Sequence, residues 1–134
     1  DVLAGKQVYL LRNESKKGLG FFEANNFYPD FILWILEGNK QFVTFIDPKG
    51  IRNLKGLDDP KVQLFRYLQN DVTRQMGNPN IFMNSFIISN TPMEQVDFWA
   101  KAPFDADEFA RNHVLFEEKY EAYLDQMTRM ILNP

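Results

Sequence analysis

The chain has 134 residues, enough for one domain around one core, and its 45 % apolar and 25 % charged residues are an ordinary globular mixture. With no cysteine, a disulfide framework, a thiolate zinc site and a cysteine nucleophile are excluded, and the single histidine, His113, is all that a histidine-based metal cluster or Ser-His-Asp triad could use. A formal net charge of −3 argues against a free-standing nucleic-acid binder, and without an apolar run of roughly 20 residues or a basic-then-apolar leader, a cytoplasmic protein with no membrane partner is expected.

The chain begins at Asp1 without an initiator Met and enters a strand-like segment within a few residues, which predicts one domain cut from a longer protein. Gln7 to Leu11 (QVYLL) reads as a first strand, Arg12 to Lys17 as a charged turn, Gly20 to Glu23 as a short second strand and Ala24 to Phe27 as a loop. Asp30 to Leu36 (DFILWIL) is a strand whose unbroken apolar run implies burial on both faces. Glu37 to Lys40, with Gly-Asn at its centre, is a hairpin turn, and Gln41 to Asp47 is the returning strand, which Pro48 should stop because it cannot donate to the ladder. Pro60 to Met76 reads as a helix, with Asp59 as N-cap, Val62, Phe65, Leu68 and Val72 as its apolar stripe, and Gly77 as its end. Asn80 to Ser89 is a buried strand. A short helix from Pro92 to about Ala100, a helical turn at Ala106 to Ala110, and an edge strand His113 to Phe116 should follow. Glu117 to Leu132 is the most regular helix, with Tyr120, Leu124, Met127 and Ile131 on one face. Strands bracketing helices predict an α/β sandwich, a mixed sheet with helices on both faces.

Asp30 and Asp47 lie in the two most apolar strands, where a carboxylate is expensive unless paired or bound to metal. If Leu36 faces Gln41 across the turn, stepping back residue by residue brings Asp30 opposite Asp47, on the same face of the hairpin, with Cβ atoms roughly 5 Å apart. Two like charges this close repel unless a divalent cation or a shared proton lies between them. Lys49, two residues beyond Asp47, returns to the same face. Oxygen ligands with open positions suit Mg²⁺ or Mn²⁺.

Pro29-Asp30 followed by Asp47-Pro48-Lys49 at the end of the next strand resembles the signature of the PD-(D/E)XK nuclease superfamily. The string FYPDFILWILEGNKQFVTFIDPKG, with the later DDPKVQLFRYL, FIISNTP and HVLF, is similar to the nuclease domain attached to DEAD/DEAH-box helicases and to type III restriction subunits. The resemblance implies a restriction-endonuclease-like fold with a central four-stranded mixed sheet, Mg²⁺-dependent hydrolysis of DNA phosphodiester bonds, and a helicase or ATPase motor in the parent protein. It implies that Asp30, Asp47 and the Pro48 carbonyl bind the metal, with Mn²⁺ as a substitute, and that Lys49 orients the attacking hydroxide. Such families often carry a further acidic residue on a helix before the first strand; that helix is expected to be absent or to lie outside this chain, and Glu23 is the substitute candidate. Gln63 and Tyr67 resemble the QxxxY pair of RecB-like and Cas4-like branches, and their spacing places both on one helix face. Arg52, with Lys55 nearby, is a candidate phosphate contact. His113 is expected to be a packing residue, and Lys16 and Lys17 a solvated turn. The alternative function is a catalytically inactive nuclease-fold module that binds DNA or assembles a complex.

Overall fold

The computed structural model describes residues 2–14, 16–24, 26–49, 51–96, 105–119 and 121–134. Its frame is a five-stranded mixed sheet: β1 (Gln7–Arg12), β2 (Phe31–Glu37), β3 (Lys40–Lys49), β4 (Ile81–Ser89) and β5 (Val114–Phe116), in that spatial order. β1, β2 and β3 pair antiparallel, while β3, β4 and β5 run parallel. The antiparallel hairpin turns through Gly38 and Asn39, flanked by the pair Glu37↔Lys40. Gly38 has φ +59°, the left-handed conformation that the first central position of a II′ turn requires. The same alignment puts Leu36 opposite Gln41 and Phe31 opposite Ile46, as the sequence predicts.

Alternation along the strands divides the core between two faces. On one, Ile32, Phe45 and Ile87 pack against Leu64 and Leu68. On the other, Ile35, Phe42, Ile46 and Phe86 pack against Met127 and Ile131. The first face is covered by α1 (Leu64–Tyr67), a π-helical turn (Leu68–Val72) and α2 (Thr73–Met76), the second by α4 (Glu121–Leu132); α3 (Ala106–Arg111) contributes Phe109 and Ala110, one to each core. Continuous apolar runs in β2 and β4 thus reflect helices on both faces.

Several expectations are corrected. Gly20–Glu23 is not a strand: Phe22–Ala24 is a 3₁₀ turn, closed by a bridge between Phe21 and Phe27. Pro48 does not stop β3, which continues to Lys49, with Pro48 opposite Ile88. The ring is tolerated because the hairpin partner, β2, has already ended on its other side. The sheet has five strands, because both the exposed β1 and the short, fully buried β5 join it. Regular helix starts at Leu64, though Asp59 caps the preceding turn: its Oδ1 accepts from the Lys61 N–H at 2.9 Å and its carbonyl from the N–H groups of Val62 and Gln63. The π turn coincides with the Thr73 hydroxyl donating to the Leu68 carbonyl, 2.8 Å away and five residues back. Gly77, at φ +67°, ends the segment. Met93–Gln95 forms only a 3₁₀ turn, which ends at Val96; residues 97–100 of the helix expected to reach Ala100 lie outside the described residues. The last helix starts at Glu121 after a 3₁₀ turn, Tyr120 lies outside the described residues, and Leu124 is exposed, leaving Tyr123, Met127 and Ile131 to face the core. Among the described residues, no helix is long and apolar enough to cross a membrane.

Candidate active site

The ladder between β2 and β3 ends at Phe31↔Ile46, and the next residues back and forward are Asp30 and Asp47. They meet as the register requires: the Asp30 N–H donates to Asp47 Oδ1 at 2.9 Å. The second oxygen, Oδ2, accepts an ion pair from Lys49 Nζ at 2.7 Å. Asp47 is 4 % exposed, so water cannot solvate it, and these two donors hold the charge in place. Burial pushes the Asp47 carboxyl above the usual range; the Lys49 hydrogen bond and charge pull it down, and the Asp30 charge adds to the rise.

These groups line a cleft of about 340 Å³ together with Pro48, Tyr28 and Lys61. Phe27 lines it too and is shared by two cations, Lys49 Nζ lying 4.5 Å from the ring centre and Lys61 Nζ 5.6 Å. Lys61 makes no ion pair among the described residues. Two carboxylates and two ammonium groups thus leave the cleft close to neutral, and a divalent cation there would make it attractive to a phosphodiester. The Asp30 carboxylate receives no donor among the described residues and lies half-buried at the cleft, an acceptor available to a ligand. Alternation along β3 turns the Pro48 carbonyl away from β4, whereas the next carbonyl, of Lys49, accepts from the Asn90 N–H.

This donor set fits a hard cation that keeps several of its own waters, as Mg²⁺ does with one or two carboxylates. It does not fit zinc: among the described residues, no cluster of three His, Cys, Asp or Glu side chains could hold a metal. Glu23 does not join Asp30 and Asp47. It lines a second cleft, of about 230 Å³, with Gln63 and Tyr67. Gln63 already spends its amide within the protein: Nε2 donates to the Leu57 carbonyl and Asn112 Oδ1, and Oε1 accepts from Arg66. Arg52 is exposed in the 3₁₀ turn Ile51–Asn53, just past β3, and does not line the cleft of the two aspartates.

His113 is a packing residue, as its lack of partners in the sequence suggests. Its ring lies between Phe65, 3.7 Å away centre to centre, and Phe86, 4.5 Å away, and its Nδ1–H donates to the Ser85 carbonyl.

Asn13 is the residue that the sequence does not reveal. Buried where a charged turn is expected, it donates from Nδ2 to the carbonyls of Leu19 and Pro29 and accepts at Oδ1 from the Leu19 N–H. Its own N–H donates to the Asp30 carbonyl at 2.7 Å. It therefore fixes the backbone on both sides of the Pro29–Asp30 bond. Gly18 is the matching sequence signal: a Cβ there would overlap Asn13 Oδ1.

Comparison with known proteins finds no matching family model, no similar curated protein and no similar solved structure.

Proposed function

We propose that this chain is a metal-dependent DNA-cleaving domain with a restriction-endonuclease-like fold, and that Asp30, Asp47 and Lys49 are its catalytic core. The observation that carries the reading is the direct opposition of two aspartates at the end of an apolar hairpin, with Lys49 on the same face. Asp30, Asp47 and the Pro48 carbonyl would hold Mg²⁺, or Mn²⁺ in its place, and the ion would supply Lewis-acid chemistry at a phosphodiester. Lys49 keeps its ammonium at the cleft through Asp47 and the Phe27 ring, where it offsets charge on the reacting phosphate. Lys61, which lines the same cleft with its ammonium 5.6 Å from the centre of the Phe27 ring, receives a neighbouring phosphate.

An acidic domain gains little from releasing counterions on DNA, so the isolated chain should bind DNA weakly. Tethering to a helicase-like motor would raise the effective concentration without new contacts. A second reading, a nuclease-fold module that binds or assembles without cutting, has one observation in its favour: both Asp47 oxygens are already engaged by protein donors. Plasmid incubated with a high concentration of the chain and Mn²⁺ separates the two. Nicking that EDTA and Lys49→Ala both remove supports the nuclease; intact plasmid under all conditions, from a folded protein, refutes it.

A further inference from the structure

The two edges of the sheet differ. β5 is short and wholly buried, whereas all six residues of β1 are exposed. Val8, Tyr9, Leu10 and Leu11 are each at least 40 % exposed, and Leu10 reaches 62 %. Proline, a bulge and inward-pointing charge are the usual protections of an open edge. None interrupts Gln7–Arg12, which pairs with β2 in unbroken register.

The free hydrogen-bonding groups of this edge can be assigned. Asn13 donates to Asp30, its partner by continuation of the β1–β2 register. In an antiparallel ladder, the inward-facing groups then fall at Asn13, Leu11, Tyr9 and Gln7, and the N–H and C=O of Val8, Leu10 and Arg12 face outward. A strand added here must bond to those three residues.

We infer that β1 pairs antiparallel with β1 of a second copy of this chain across a two-fold axis, Leu10 opposite Leu10, to give a continuous ten-stranded sheet. The ends of the strand are self-complementary in charge, and that sets the register. Outward groups at alternate residues allow only registers that oppose one of these three residues to another, and two of these oppose most of the strand. One places Lys6 against Arg12 at both ends, setting like charges face to face. The other places Leu10 on the axis and Val8 against Arg12, and brings Lys6, just before β1, towards Glu14, just after it where its carbonyl accepts from the Gly18 N–H, so that each Lys6, already paired with Glu37, gains a second carboxylate side chain nearby. The axis is perpendicular to the sheet, so both Asp30–Asp47 clefts lie on the same face of the dimer. A six-residue edge is small beside the roughly 1,200 Å² of a standard stable interface, so monomer and dimer should exchange with concentration.

Since the chain has no cysteine, a single introduced thiol reports the register directly. Opposed residues in a hydrogen-bonded antiparallel pair have Cα atoms about 5.5 Å apart, within disulfide reach, whereas Val8 would lie four residues from its own copy, roughly 13 Å away. Sedimentation of the wild-type chain should show an average mass rising with concentration towards twice that of the monomer, and Leu10→Lys should abolish the rise. Under mild oxidation, Leu10→Cys should form covalent dimer about tenfold faster than Val8→Cys. A wild-type chain that stays monomeric throughout, its edge then left for a different partner, overturns the inference. So does Val8→Cys cross-linking as readily as Leu10→Cys.

Discussion

Acidification should destabilise this protein through His113. The ring is 8 % exposed and stacked between two phenylalanines, and burial pushes its pKa down from 6.5 to about 4, with the Arg66 charge adding to the fall and the Ser85 carbonyl opposing it. A folded-state pKa below the unfolded one means that the unfolded chain takes up the proton first. The stability linked to neutral His113 is therefore complete above pH 6.5, declines as the pH falls towards 4, and is lost no further below that. Between about pH 7 and about pH 5 the loss is about 2 kcal/mol, a large share of the stability of a small domain. Urea unfolding at the two pH values measures it, with His113→Phe as the reference, since phenylalanine keeps the aromatic stack and cannot titrate. The variant leaves the Ser85 carbonyl without its donor and should be less stable throughout, but it should lose about 2 kcal/mol less than the wild type on acidification. Equal losses in the two proteins would refute the assignment.

Asn13→Ala leaves the Pro29 carbonyl and both backbone groups of Leu19 without their partner and should lower stability by about 1–3 kcal/mol in urea unfolding, with Gly18→Ala acting in the same direction by displacing the Asn13 side chain. The Thr44 hydroxyl is fully buried and has no partner among the described residues, so Thr44→Val should be neutral or stabilising by up to about 1 kcal/mol in the same assay. Lys61→Ala should weaken duplex binding, measured by fluorescence anisotropy with Ca²⁺ present, and lower the salt dependence by about one phosphate contact, while leaving Mn²⁺ affinity unchanged.

The hairpin and its pairing were legible in the sequence because they rest on strong local signals: an apolar run, Gly-Asn at the turn, and counting that leaves only one partner for Asp30. The helix over Leu64–Met76 was legible for the same reason, from its stripe and from Gly77, but the π turn was not, since it arises from a hydroxyl that bonds five residues back. Gly20–Glu23 read as a strand because two phenylalanines invite it, whereas tertiary packing decides: Phe21 meets Phe45 edge-on at 4.9 Å and the chain closes on Phe27 instead. At the site, Asp30, Asp47 and Lys49 followed from register. Asn13 did not, because a buried asparagine in a charged turn has no pattern of its own. Gln63 and Tyr67 fall on one helical segment as their spacing requires, yet beside Glu23 and a second cleft, which is set by the loop path and not by periodicity.

Calorimetric titration with Mn²⁺ tests the central claim most directly, namely that the opposed Asp30 and Asp47 are a divalent-metal pair. One site should appear in the wild-type chain, vanish in Asp47→Ala and persist in Lys49→Ala, with folding of each variant checked by circular dichroism. Equal Mn²⁺ binding by the wild type and Asp47→Ala, or none by the folded wild type, would contradict it.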